Sequence, residues 1–153
     1  GVNVAINTAT PTPTVQIVNK LENGKSDESK VNDGLLENTF ENWSTTNQGS
    51  AHTTNDANSY VGIHLNKDYN YNDLQAVVFY GRADDPWASD RNNGLTIRLM
   101  KDDTIVRQQI FNVGTWRYII KGPDFGSAST VNADTTLFLN WSLFCSCLCN
   151  FSS

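Results

Sequence analysis

A chain of 153 residues with 39% hydrophobic content, including 4 Trp, 5 Tyr and 7 Phe, is long enough for one buried core and too apolar for a disordered tail. Its formal charge of -5, with 11 scattered Lys and Arg, argues against a nucleic-acid partner and against docking on anionic lipid through bulk charge. No apolar run approaches the ~18 residues of a membrane span. Residues 1–10 lack the basic-then-apolar order of a signal peptide, and the chain opens on Gly1, as a processed product or an excised domain would.

Residues 8–14, TATPTPT, are extended, because each residue before a proline is pushed out of the helical region. Val15 to Val18 is a short strand candidate, and residues 19–34 form a polar, turn-rich stretch ending in Asp33-Gly34. A second loop, 38–49, carries Phe40 and Trp43. From Ser59 to Leu65 the pattern alternates, with Val61, Ile63 and Leu65 on one face and Tyr60, Gly62 and His64 on the other. Leu74 to Tyr80 is apolar on both faces, as a central sandwich strand would be. Leu95, Ile97 and Leu99 alternate with Thr96, Arg98 and Met100, and Lys101-Asp102-Asp103 turns the chain into Thr104 to Phe111. Trp116 to Ile120 is a further strand closed by Lys121-Gly122-Pro123-Asp124, and Thr135 to Phe144 is the candidate last strand.

No window sustains a helical period, and turns recur about every ten residues. The fold class is therefore all-β, an antiparallel jelly-roll β-sandwich. Residues 1–136 make up the sandwich. Residues 137–153 change character to an apolar, cysteine-bearing segment that serves as a final strand or a docking tail.

The chemistry concentrates in residues 80–95, YGRADDPWASDRNNGL. Arg82 and Arg91 each offer five planar N–H donors, and Asp84 can hold such a plane and accept from hydroxyls. That set suits a hydroxylated ligand; the competing reading is a solvated ion pair worth ~0–1 kcal/mol. Trp87, after a proline in a polar loop, either covers an apolar ligand face or folds back onto the sandwich end. His52, among small polar residues, reads by default as an exposed loop histidine, with ligand contact as the alternative; His64 reads as surface. No nucleophile stands with its base. The pairs Asp84-Asp85 and Asp102-Asp103 would diverge on a strand rather than face one glycosidic bond across ~5–9.5 Å. Catalysis is not expected.

Cys145, Cys147 and Cys149 alternate in the last nine residues. An odd count in one tract gives no internal disulfide framework, and single-residue spacing suits zinc poorly. Intermolecular disulfide, lipid attachment and buried thiols all remain open. Sequons at Asn42, Asn140 and Asn150 matter only in a glycosylating compartment.

The order of these features resembles the discoidin family, or coagulation-factor type C domain. The resemblance runs through Asn3-Val4-Ala5 with Thr8-Ala9-Thr10, Val31-Asn32-Asp33-Gly34, Trp43-Ser44, Tyr60 to Leu65, and Leu74 to Arg82 followed by Arg91 to Leu95. It covers residues 3–120 and implies a galactose-binding-domain-like sandwich whose loops at one end take ligands. His52-Thr53, Arg82-Ala83-Asp84 and Arg91 are similar to the sugar site of the F-type, fucose-binding lectins, with Trp87 available for a sugar methyl. The gaps between these elements are slightly longer than in those lectins, and the usual adjacent cysteines are replaced by Asp85-Pro86-Trp87-Ala88. The same resemblance implies calcium near Asp33, although Leu35 stands where an oxygen ligand would be expected.

The leading expectation is thus a non-catalytic lectin-like module binding glycans or glycoproteins, on a cell exterior or particle surface. The alternative is a structural or assembly protein, such as a capsid or surface decoration subunit, self-associating through the C-terminal segment. A third reading, membrane recognition by loop tips, is disfavoured by the acidic balance.

Overall fold

The computed structural model describes residues 1–21, 26–34, 51–54, 56, 58–80, 94–111, 117–126 and 146–151. Eight strands account for its regular structure: β1 (Val2–Asn3), β2 (Thr14–Val18), β3 (Tyr60–His64), β4 (Leu74–Tyr80), β5 (Thr96–Lys101), β6 (Thr104–Ile110), β7 (Arg117–Lys121) and β8 (Ser146–Phe151). Among the described residues the helical elements are three-residue 3-10 turns, at Glu28–Lys30, Tyr71–Asp73 and Gly122–Asp124. No helix there is long and apolar enough to cross a membrane. The protein is an all-β sandwich, and every strand pair is antiparallel.

The largest sheet has the order β1-β8-β4-β7, with β2-β3 and β5-β6 as two-stranded ribbons. β4 is central because both of its faces are apolar: it pairs with β7 from Ala76–Lys121 to Tyr80–Arg117 and with β8 from Leu74–Phe151 to Tyr80–Ser146. Its inward residues Leu74, Val77 and Phe79 join Tyr118 and Ile120 of β7, Val61 of β3, and Leu95 and Ile97 around β5 in one core. Aromatic rings close that core, with Phe111 and Tyr118 centroids 4.6 Å apart and Phe79 6.2 Å from Tyr118. The alternation seen in the sequence places Val61 inward and His64 at the surface. Asp102, at φ 52°, makes the tight turn between β5 and β6.

A strand lies within the C-terminal segment 137–153. β8 occupies Ser146–Phe151, whereas the apolar run 135–144 lies outside the described residues, as do Phe40, Trp43, Trp116, Cys145, Asn42 and Asn140. In β8, Cys147 pairs with Phe79, Cys149 with Val77, and Asn150 with Ala76.

A chain of contacts defines the two ends of the sandwich. Tyr80 closes β4 beside Arg117; Tyr118 touches Phe111; and Phe111 exchanges backbone hydrogen bonds with Gly94 and Leu95. At the far end of the β5-β6 ribbon, the Lys101 ammonium lies 2.6 Å from Asp68, just past β3.

Candidate functional site

The β2-β3 ribbon continues beyond Val18 and Tyr60. Asn19 adopts a left-handed φ of 59°, Lys20 bridges to Thr53, the Leu21 amide donates to the His52 carbonyl at 3.0 Å, and the Thr54 amide donates to the Asn19 carbonyl at 2.8 Å. This sets His52 beside Leu21, beyond the paired ends of β2 and β3. Tyr80 and Gly94, the described residues that bound segment 81–93, are linked to each other through Arg117, Tyr118 and Phe111. Arg82, Asp84, Trp87 and Arg91 themselves fall outside the described residues.

His52 is not the exposed loop residue of the default reading. It is 5% exposed, between Ala51 and Thr53, both fully buried. Two small neighbours let the backbone tuck inward, and the buried polar groups are satisfied as burial demands. The His52 amide donates to Ser26 Oγ at 2.8 Å, and its Nδ1 lies 2.9 Å from the Thr53 carbonyl. A carbonyl oxygen only accepts, so Nδ1 carries the ring hydrogen in this arrangement. His52 is thereby fixed in position and in tautomer. His64 is exposed, with Nδ1 2.6 Å from Asn66 Oδ1.

Ser26 and Lys20 belong to this site although nothing in the sequence singled them out. Ser26 is buried, 26 residues from its partner, inside a polar run whose composition signals only a turn. The Lys20 ammonium pairs with Glu28 Oε2 at 2.9 Å and ties the ribbon to the 3-10 turn. That hydrogen bond holds the Glu28 carboxyl below its usual range. Asp27 caps the turn, accepting from the Ser29 hydroxyl at 2.8 Å and the Ser29 amide at 2.9 Å, and the hydroxyl bond chiefly lowers its pKa.

A depressed carboxyl stabilises the fold fully above its unfolded pKa, near ~4, and loses that contribution as pH falls through the lower folded value. Asp27→Ala is expected to lower stability by about 1 kcal/mol or less near neutral pH, given partial exposure. Thermal melts across the acid range check this: the gap between variant and wild type should close as the acid titrates Asp27.

Asp33 follows the cap, and Gly34 takes the left-handed φ of 81° that the turn requires. The Asp33 carboxylate faces the Lys30 ammonium at 4.0 Å. Beside it, the buried Asn32 donates from Nδ2 to the Ala5 carbonyl at 2.8 Å and accepts the Asn7 amide on its own carbonyl at 2.8 Å. Calcium asks for six to eight oxygens. Among the described residues, the Asp33 carboxylate faces an ammonium and the neighbouring Asn32 carbonyl accepts a backbone amide, a set that falls short of that demand. No group of three or more His, Cys, Asp or Glu among the described residues is arranged to hold a metal.

No family model matches the chain, and no curated protein matches it. Solved structures do. The lectin domain of lectinolysin complexed with Lewis B antigen superposes with a TM-score of 0.67 at 15% identity, covering 99% of this chain and 98% of that one. A histidine mutant of the lectin binding domain of lectinolysin complexed with Lewis b gives 0.61 at 14% identity, covering 100% and 87%. At such identities the likeness is one of fold, and it spans the whole chain.

Proposed function

We propose that the protein is a non-catalytic carbohydrate-binding module of discoidin-like build, with its ligand site at the end of the sandwich where β4 leaves and β5 enters. The observation that carries this reading is the end-to-end fold likeness to a lectin domain solved with a glycan. In this reading Arg82 and Arg91 donate to sugar hydroxyls, Asp84 orients a guanidinium and accepts from a hydroxyl, and Trp87 covers an apolar sugar face. The burial of His52 makes it a fixed wall of the site, so recognition falls chiefly on the two guanidinium groups. Fucose, with its methyl group, is the sugar such a set would favour. Glycans or glycoproteins are then the partners, met at a cell exterior or particle surface. Each site binds weakly, because a small polar ligand offers little apolar area, and avidity comes from repeated copies.

A glycan array probed with multivalently displayed protein tests this. Wild type should bind one class of glycan, and Arg82→Ala should weaken that binding roughly 10–100-fold through loss of charge-assisted hydrogen bonds. Folded, multivalent wild type that binds no glycan overturns the proposal.

A further inference from the structure

Beside the His52 amide, Lys20 and Ser26–Gly34 form a cradle in which each carboxylate has one oxygen facing a donor or an ammonium. Asp27 Oδ1 takes two hydrogen bonds from Ser29, and Glu28 Oε2 takes the Lys20 ammonium at 2.9 Å. Asp33 Oδ2 faces the Lys30 ammonium at 4.0 Å, within a pair whose side chains are 21% and 15% exposed. The Asp27 carbonyl accepts the Lys30 amide at 3.2 Å, the Glu28 carbonyl the Val31 amide at 3.1 Å, and the Asn32 carbonyl the Asn7 amide at 2.8 Å. A divalent ion entering here would have to displace these donors and sit beside two ammonium groups.

We propose that lysine side chains do in this cradle the work that calcium does in the lectins the sequence resembles. Lys30 neutralises Asp33 at the Asp-Gly turn. Lys20 clamps Glu28 and, through its bridge to Thr53, draws the turn against the strand that carries His52. Ser26, one residue before the cap, completes the link by accepting the His52 amide. The cradle is thus a metal-independent positioning element: His52 keeps its place through covalently attached cations that a chelator cannot remove. Such closure also costs less flexibility at the turn than a loop that must order around a free ion.

Thermal melts of the intact chain in excess EDTA and in millimolar calcium chloride test this without reference to any glycan. Wild type is expected to melt at the same temperature in both, with no saturable heat when calcium is titrated in by calorimetry. Lys30→Met is expected to lower the melting temperature by about 2–4 °C in both buffers, as loss of one partly buried partner should in a chain of this size. A saturable rise of the wild-type melting temperature with calcium overturns the proposal, as does a Lys30→Met variant that melts with the wild type. Absence of glycan binding would sink the proposed function and leave these melts unchanged, so the two failures are distinguishable.

Discussion

Gly122→Ala should be among the most damaging single substitutions in the protein. Gly122 is buried at the start of the last 3-10 turn, under the beginning of β4. A Cβ built there overlaps the Leu74 carbonyl oxygen and comes to 2.7 Å from the carbonyl carbon. Those are backbone atoms of a central strand that is paired on both sides, so neither can swing away as a flexible side chain would. The Tyr71 hydroxyl donates to the Gly122 carbonyl and tightens the same contact. Relief requires shifting β4 against β7 or opening the turn, at a cost of about 3 kcal/mol or more. For a chain of this size that corresponds to a fall of about 6–12 °C in melting temperature. Gly62→Ala is the control: its nearest neighbour is Tyr60 Cε2 at 3.5 Å, ordinary contact, and it should melt within a few degrees of wild type. Equal melting of the two variants would show that the β4 approach is looser than these distances imply.

That contact also marks what periodicity can and cannot convey. β4 was legible because Leu74 to Tyr80 is apolar on both faces, and only a doubly paired strand suits such a run. The β5-β6 hairpin was legible because Lys101-Asp102-Asp103 interrupts two alternating runs with residues that tolerate a turn. The closeness of Gly122 to Leu74 was not, since a glycine before a proline signals a turn and says nothing of a carbonyl 48 residues away. His52 failed for the same reason. Its neighbours are polar or small, which reads as surface, but burial comes from Ser26 and the Lys20 bridge, contacts set by the fold rather than by local composition. The final strand was placed at 135–144 on hydrophobicity alone. The described strand, β8, is SCLCNF, where alternating cysteines drew attention to thiol chemistry rather than to strand register. For the candidate site the sequence supplied residue types, and the fold supplies the buried, hydrogen-bonded setting of His52.

β8 leads to the other large expected effect. A chain ended after Cys145 should fail to fold cooperatively, rather than fold and merely change its state of association. β8 lies between β1 and β4, and among the described residues it is β1's sheet neighbour. Removing it strips six cross-strand pairs from β4 and both pairs from β1. Each ladder hydrogen bond contributes about 0.5–1.5 kcal/mol net, and the sheet that backs Val77 and Phe79 is lost with them. That sum approaches the ~5–15 kcal/mol by which a whole domain is stable. A point substitution makes the same test within a full-length chain. Leu148→Pro, opposite Val78 in the middle of β8, removes a ladder donor from an interior strand and should cost about 3 kcal/mol or more. Circular dichroism melts with light scattering separate the possibilities. If the segment acts as a detachable docking tail, the truncated chain will melt cooperatively near the wild-type temperature and differ only in mass. If β8 is integral, the truncated chain will show no cooperative transition and Leu148→Pro will melt well below wild type. Any oligomer would then have to be built on another surface.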